Sequence, residues 1–176
     1  MLNFLKNFLS AREQAKVYRN RALENYCGIA VEAPKLHGNI GVLFRTCATL
    51  GNVDFLATVG ARYDKNLHWD PSDSHRILPT WHFEDFMMLR KNLPLCSVLV
   101  GVELDNKSEN LEEFEHPDRA VYLFGSEDMG LSHQARRSCR HLIKLPSATG
   151  TSMNLSSAGS IVLWDRYTKL RRKYEK

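Results

Sequence analysis

Three polar stretches of the sequence follow apolar runs and contain residue types that can hold a ligand. They are APKLHGNIG (33–41), GSEDMGLS (125–132) and PSATGTSMN (146–154). Glycines in such stretches permit tight turns and let a ligand approach the backbone, while Ser, Thr, Asn and acidic side chains supply hydrogen-bonding groups. The second stretch is neither GxGxxG nor GxxxxGK[ST], so the sequence does not predict a phosphate-cradling loop of those types.

The third stretch differs most from a simple connection. Asn154 is placed to cap the helix that follows, but capping does not account for the Thr, Gly, Thr and Ser of 149–152. The next residues, 156–160 (SSAGS), are mostly poor helix formers with small side chains. This pattern predicts a polar pocket lined by backbone, followed by a helix pressed closely against another part of the protein.

The elements around these stretches alternate between short apolar strands and helices. Strands are predicted at 27–33, 53–60, 96–104, 120–125 and 141–145, with a polar, loop-rich segment at 61–80. Helices are predicted at 3–25, 37–51, 82–93, 131–139 and 154–174, and the residues 110–117 are expected to form a short acidic helix or turn. The alternation indicates an α/β fold with a parallel sheet and helices on both faces. In such sheets ligands bind at the carboxyl ends of the strands, where the three polar stretches lie.

Composition is that of a single globular domain. The chain has 176 residues, of which 43% are hydrophobic and 25% charged, and it has no apolar run long enough to span a bilayer and no convincing signal peptide. The four cysteines lack CxxC spacing and stand in apolar contexts. We expect them to be reduced core thiols in a cytoplasmic protein, rather than a disulfide framework or a zinc site.

The positive charge is concentrated at the two ends. Residues 1–21 carry five Lys/Arg and one Glu, residues 166–176 carry six Lys/Arg and one Glu, and the segment between them is net acidic. Two readings are open at this point. The ends are either solvated helix faces or edges that bind phosphates of a nucleic acid.

The three stretches together resemble a known family. NIGVLFRT (39–46), LFGSEDMGLS (123–132) and IKLPSATGTSMNLSSA (143–158) are similar to motifs one, two and three of the SpoU/TrmH-type RNA 2′-O-ribose methyltransferases of the SPOUT superfamily. The resemblance covers about 27–170. It implies a C-terminal trefoil knot, S-adenosylmethionine (AdoMet) as cofactor, and a homodimer. We therefore divide the chain into a basic helical extension, 1–26, and a methyltransferase domain, 27–176.

The resemblance also assigns roles to individual positions. The catalytic positions it implies are Asn39, Arg45, Glu127, Ser152 and Asn154. The cofactor-binding positions it implies are Gly125, Leu145, Ser152 and Met153. Three of these residues have simpler readings: Asn39 as a helix cap, Arg45 as a surface salt bridge and Glu127 as a helix N-terminal charge. Asp128 stands where the family usually has Gly.

The role that chemistry allows Arg45 is electrostatic. A guanidinium is too weak an acid to serve as a base at neutral pH, but it can stabilise a developing alkoxide and grip a neighbouring phosphate. We expect Arg45, Arg171, Arg172 and Lys173 to contact RNA. No metal is expected, because the methyl sulfonium is already activated, and Trp and Pro residues interrupt the spaced histidines at 68, 75 and 82.

The sequence therefore predicts an AdoMet-dependent RNA 2′-O-ribose methyltransferase, with tRNA as the expected substrate. Ribosomal RNA is the alternative substrate. A non-catalytic RNA-binding module on the same fold and a flavodoxin-like nucleotide-binding protein are the competing classes.

Overall fold

The computed structural model describes residues 25–50, 52–60 and 78–174. These residues form a sheet of seven strands in the order β3-β2-β1-β6-β4-β7-β5, and every neighbouring pair is parallel. The strands are β1 (Tyr26–Glu32), β2 (Phe55–Val59), β3 (Thr80–Phe83), β4 (Val98–Val102), β5 (Glu109–Asn110), β6 (Arg119–Phe124) and β7 (His141–Lys144). The predicted helix at 3–25, except for its last residue, and residues 61–77 of the predicted loop 61–80 lie outside the described residues.

Four helices within the described ranges cover the two faces of this sheet. They are α1 (His37–Leu50), α2 (Phe86–Lys91), α3 (His133–Ser138) and α4 (Leu155–Tyr174). Alternate residues of the central strands enter two separate cores: Ile29 and Val31 join the core that contains α1 and α4, while Ala30 joins the core that contains α2 and α3. The α/β fold with helices on both faces is confirmed.

The small residues at the start of α4 allow it to approach α1. A Cβ added to Gly159 would lie 2.3 Å from Leu43 Cδ2, so any larger residue would force the Leu43 side chain to move. One turn away on α1, the Thr46 and Ser160 hydroxyls are 2.9 Å apart. The predicted close packing of this helix is therefore found within the chain itself.

The far end of α4 is held by the segment 111–118, which connects β5 to β6. Arg166 is only 2% exposed and donates to the carbonyls of Pro117 and Asp118 at 2.5 and 2.8 Å. Lys169 donates to three more carbonyls of the segment, at 2.7–3.2 Å. Strand β7 lies between β4 and β5, both of which precede it in sequence. The trefoil knot stays a prediction.

Two elements differ from the sequence prediction. The helix predicted over 82–93 is wrong at its start, because Thr80–Phe83 pairs with β2 and Trp81 stacks on Phe55 with ring centroids 4.8 Å apart. The helix begins only after Asp85, whose carboxylate accepts from Met88 N–H at 2.8 Å. The two-residue strand β5 was not predicted, since its residues are polar and exposed and only its pairing with β7 defines it.

The cysteine prediction is correct for most positions but wrong for one. Cys27 and Cys47 are buried and Cys139 is half-buried, whereas Cys96 is exposed. Cys96 lies in the turn before β4, with a φ of 63°, rather than inside the strand. All four are free thiols. Among the described residues, no helix is long and apolar enough to cross a membrane.

Candidate active site

Three side chains from the three motif-like stretches form one hydrogen-bonded network. The Asn39 amide nitrogen donates to Glu127 Oε1 at 2.8 Å, and its oxygen accepts from the Asn154 amide nitrogen at 2.9 Å. Asn39 lies in the first turn of α1 and is 8% exposed. The parallel sheet brings the three stretches together because all of them follow carboxyl ends of strands.

Glu127 joins this network to the start of α1. Its carboxylate also accepts from the backbone N–H groups of Lys35 and Leu36, at 3.0 and 3.3 Å. Partial burial alone would raise the pKa of Glu127, but the hydrogen bonds from Lys35 N–H and the Asn39 amide outweigh it and the pKa lies below its ordinary value. Glu127 is therefore ionised at neutral pH, and its carboxylate holds the second stretch against the first through these hydrogen bonds.

Asp128, the position that departs from the resembled family, fits its turn without strain. Among the described residues, the non-glycine residues with positive φ are Ala33 and Cys96, so Asp128 does not need the left-handed backbone that favours Gly. Its carboxylate pairs with the Lys35 ammonium and accepts from the Ser126 hydroxyl at 3.2 Å. The substitution adds an exposed link between the first and second stretches.

Asn154 caps α4 and also binds a residue of the first stretch. Its side-chain oxygen accepts from Ser156 N–H at 2.9 Å and Ser157 N–H at 3.4 Å, which caps α4 as predicted. Its nitrogen simultaneously reaches Asn39. One residue thus fixes the start of α4 and connects the third stretch to the first.

A cavity of about 350 Å³ lies beside this network, open to one side. We call it the main cavity. The four predicted cofactor-binding residues all line it, as does Asp128. Its remaining lining residues include Val102, Glu103, Phe124, Glu127, Met129, Gly130, Lys144, Ser147, Thr151, Leu155 and Ala158. The lining combines an apolar floor with polar loop groups and carboxylates, which is typical of small-molecule sites.

The second stretch closes over the main cavity as a tight hairpin. Ser126 and Gly130 exchange two backbone hydrogen bonds, of 3.1 and 3.0 Å, and Gly130 has a φ of 64°. A Cβ on Gly125 would lie 1.9 Å from the Gly130 carbonyl carbon. A side chain at Gly125 would therefore collide with the hairpin's own backbone.

Arg45 lies apart from the main cavity. It is exposed on α1 and borders a second cavity, also of about 350 Å³, whose lining comprises Val42, Arg45, Thr46, Thr49, Leu50, Ser160 and Trp164. Trp164 is 56% exposed and stacks with Tyr167 at 5.7 Å. The structure therefore unites Asn39, Glu127 and Asn154 but leaves Arg45 on a neighbouring surface.

The predicted RNA-binding residues at the end of α4 are exposed, and Lys173 among them also has a partner within the protein. Arg171, Arg172 and Lys173 lie on the surface, and Lys173 Nζ is 3.1 Å from Asp118 Oδ1. Earlier on the helix, Arg166 and Lys169 bind the 111–118 segment. Several of the basic residues of 166–176 that could bind RNA phosphates therefore bind groups of the protein itself.

Glu103 and Lys144 also line the main cavity, from the ends of β4 and β7, and neither was assigned a role from the sequence. Glu103 lies outside the three motif-like stretches, and Lys144 lies inside the third stretch, where its side chain has no assigned function. The groups of His, Cys, Asp and Glu in the described part of the chain include none that could hold a metal ion. His82 is exposed, with Nδ1 3.2 Å from the Thr58 hydroxyl, while His68 and His75 lie outside the described residues.

Comparison with known proteins places this geometry in context. A 23S rRNA (uridine(2479)-2′-O)-methyltransferase of Streptomyces viridochromogenes is 24% identical over 151 residues, which are 81% of this chain and 52% of that protein. The chain thus spans about half the length of this curated relative.

Solved structures share the fold. The SpoU methyltransferase AviRb of S. viridochromogenes, in complex with the cofactor AdoMet, superposes with a TM-score of 0.73 at 23% identity, covering 87% of this chain and 62% of AviRb. The TrmH/SpoU tRNA modifying enzyme of A. aeolicus gives 0.76 at 19% identity, covering 93% and 85%. The model of the SpoU rRNA Methylase family matches residues 27–164, which hold all three motif-like stretches and the main cavity. The chain belongs to the SpoU rRNA Methylase family.

Proposed function

We propose that the protein is an AdoMet-dependent RNA 2′-O-ribose methyltransferase. The observation that carries the proposal is the Glu127–Asn39–Asn154 network, which joins three loops from separate strands beside the main cavity. A protein that only bound RNA would not require this convergence at a small-molecule-sized cavity. Family membership and the AdoMet complex of AviRb support the same reading.

The main cavity suits AdoMet in shape and chemistry. Leu145, Leu155 and Phe124 provide apolar surface for an adenine ring, while the hydroxyls and backbone groups of 147–153 can bind ribose and amino-acid atoms. Gly150 has a φ of 71°, and a Cβ placed on it would meet no atom within 4 Å, so this loop presents open backbone rather than packed side chains. The residues present therefore fit the cofactor, and Gly125, Leu145, Ser152 and Met153 are the residues that would contact it.

AdoMet supplies a methyl group that is already activated for attack, so the protein has to orient a ribose hydroxyl and stabilise the oxygen as its proton leaves. Glu127 already accepts hydrogen bonds from Asn39, Lys35 and Leu36, and we propose that it positions the loops. Ser152 lines the main cavity, and Asn154 caps α4 and binds Asn39 beside it. Arg45 is the group whose charge suits the alkoxide and the adjoining phosphate.

We propose tRNA as the substrate. The tRNA modifying enzyme of A. aeolicus is covered over 85% of its length by this chain, whereas the 23S rRNA enzyme is covered over 52%. The similarity to the tRNA enzyme thus extends over nearly the whole of both proteins. Ribosomal RNA is the alternative. An enzyme acting on either RNA is expected in the cytoplasm.

We propose a homodimer that uses the face formed by α1 and α4. Val42, Ile161 and Trp164 are 42%, 40% and 56% exposed on it and border or adjoin the second cavity. Large apolar side chains grouped around a surface cavity are typical of an interface. Arg45 borders the same face, so in a dimer it would lie between the chains rather than on an isolated surface.

The experiment that tests the function is methyl transfer from labelled AdoMet to bulk tRNA, followed by nucleoside mass spectrometry. We expect a 2′-O-methyl nucleoside with the wild-type protein. We expect Arg45→Ala to bind AdoMet normally but to react about 10²- to 10³-fold more slowly, as for loss of a preorganised electrostatic contact. AdoMet binding without transfer to tRNA or rRNA would favour the non-catalytic module, and no AdoMet binding would refute the proposal.

A further inference from the structure

The base of the hairpin over the main cavity is held by two carboxylates from neighbouring strands. Leu131 N–H donates to Glu103 Oε2 at 2.7 Å, and Ser132 N–H donates to Glu32 Oε2 at 2.8 Å. Glu103 follows the last residue of β4, and Glu32 is the last residue of β1. These two strands flank β6, from which the hairpin emerges. The consecutive N–H groups of Leu131 and Ser132 are therefore bound by carboxylates from the two strands on either side of β6.

Glu103 is part of a larger anchor. Its Oε1 is 3.3 Å from a terminal nitrogen of Arg136, and its side chain is only 13% exposed. Arg136 Nε donates to the Leu131 carbonyl at 3.2 Å, and another of its nitrogens donates to Asp105 at 3.2 Å. Both backbone groups of Leu131 are thus bound by one ion-paired cluster, while its side chain is buried at 3% exposure.

The space at Gly130 is shaped by the same carboxylate. A Cβ on Gly130 would lie 2.6 Å from Glu103 Oε2. Gly130 in turn is the residue against which Gly125 packs and with which Ser126 is paired. Glu103 therefore binds Leu131 at the closing end of the hairpin and leaves no room for a side chain at Gly130. The tip of the hairpin, 127–129, lines the main cavity and includes the Glu127 of the network.

We propose that Glu103 and Glu32 are positioning residues, which hold the 125–131 hairpin in its ligand-ready shape by binding the N–H groups of Leu131 and Ser132. The inference rests on the proposed function only in taking AdoMet as the ligand. Hydrogen bonds from N–H groups to a carboxylate are stronger than neutral ones, and a loop fixed before binding loses less freedom when the ligand arrives. Arg136 acts through Glu103 and Leu131, and neither Glu32 nor Arg136 lines the main cavity.

The first measurement needs no ligand. Amide hydrogen exchange at Leu131 and Ser132, followed by NMR in the free protein, should accelerate about 10- to 100-fold at Leu131 in Glu103→Ala and at Ser132 in Glu32→Ala, as expected when a hydrogen bond to a charged group is lost. Glu103→Gln keeps an oxygen that can accept from Leu131 and should show a smaller change. Glu109→Gln, on the exposed edge strand β5, is the matched control.

The second measurement is AdoMet affinity by calorimetry. We expect Glu103→Ala to raise the Kd at least about 10-fold and Arg136→Ala to raise it several-fold. In free energy, the effect of the double variant should be smaller than the sum of the two single effects, because both residues act on one anchor. Methyl transfer at saturating AdoMet should change much less than the Kd. Melting temperatures identify any variant that fails to fold, and Glu103→Gln then replaces Glu103→Ala.

Three results would overturn the inference. Unchanged exchange at Leu131 and Ser132 in the variants would show that the carboxylates do not hold the loop. Faster exchange with a Kd within twofold of wild type would show that the anchor does not serve binding. A raised Kd in Glu103→Ala but not in Arg136→Ala or Glu32→Ala would make Glu103 a direct ligand contact instead. Failure of the wild-type protein to bind AdoMet would refute the proposed function, while the exchange measurement would still test the anchor.

Discussion

Replacing His116 with Gln should make the stability of the protein less sensitive to mild acid. The His116 side chain is fully buried, with Nδ1 2.5 Å from the Tyr122 hydroxyl and Nε2 2.8 Å from Asp165 Oδ2. Because a carboxylate only accepts, Nε2 carries the proton and Nδ1 accepts from Tyr122. Burial lowers the pKa of His116 to about 4. The hydrogen bond to Asp165 favours the protonated form and opposes this shift, whereas the positive charge of Arg166 lowers the pKa further.

The size of the effect follows from the gap between the two pKa values. An unfolded histidine takes up a proton near pH 6.5, whereas the folded protein keeps His116 neutral until the pH approaches 4. The unfolded state therefore binds the proton first, and folding stability falls as the pH drops from about 6.5 to about 4. At about 1.4 kcal/mol per pH unit, this is about 3 kcal/mol in total and about 2 kcal/mol between pH 7 and pH 5.

The assay is urea unfolding at a series of pH values from 7 to 5. Loss of the two hydrogen bonds should destabilise His116→Gln at every pH, so the informative quantity is the change in the wild-type-minus-variant difference with pH. That difference should shrink by about 2 kcal/mol from pH 7 to pH 5. His133→Gln, which changes an exposed histidine of α3, is the matched control. A difference that stays constant with pH would refute the buried, neutral state of His116.

Three further predictions concern the hairpin, the dimer and the RNA surface. Gly125→Ala should weaken AdoMet binding at least about 10-fold and destabilise the fold by about 1–3 kcal/mol, because the new Cβ would lie 1.9 Å from facing backbone. The control is Gly60→Ala, which is strained in φ but has open space for the Cβ, and it should leave the AdoMet Kd measured by calorimetry unchanged. Trp164→Arg should shift light scattering towards a 20.2 kDa monomer, whereas Leu95→Arg, at an 84% exposed position elsewhere, should not, and a monomeric wild type would contradict the dimer. Arg172→Gln should weaken tRNA binding and lower the log–log salt slope by roughly 0.7–0.9 without changing AdoMet affinity; an unaltered slope would make the tail a solvated helix end.

The parts of the fold that could be predicted from sequence are those whose signals are local. The run 37–51 has apolar residues at helical spacing, and α1 forms at His37–Leu50. Ser132 and Asn154 are good caps, and both cap the helices that follow them. The meeting of the three polar stretches could also be predicted, because a parallel sheet collects the carboxyl ends of its strands at one edge.

The parts that could not be predicted depend on partners distant in sequence. The residues 80–83 are exposed or half-buried and become a strand only because β2 offers an edge to pair with. Glu103 and Glu32 gain their importance from two N–H groups about 30 and 100 residues away in the chain. Neither residue has a neighbour in sequence that would mark it, so no pattern could distinguish them from solvated charges.

The C-terminal helix shows most clearly why counting charges misleads. The segment 166–176 holds six Lys/Arg, and from the sequence alone all six could be solvated or could bind phosphates. In the structure Arg166 is buried against carbonyls of the 111–118 segment, Lys169 binds the same segment and Lys173 pairs with Asp118. At least half of the six therefore have partners within the protein. A cation can be buried in a protein when its donors are hydrogen-bonded, and the carbonyls of the 111–118 segment accept from Arg166 and Lys169 in this way. These two side chains therefore do not require an RNA phosphate as a partner. The salt slope contributed by this tail should accordingly correspond to fewer phosphates than its charge suggests.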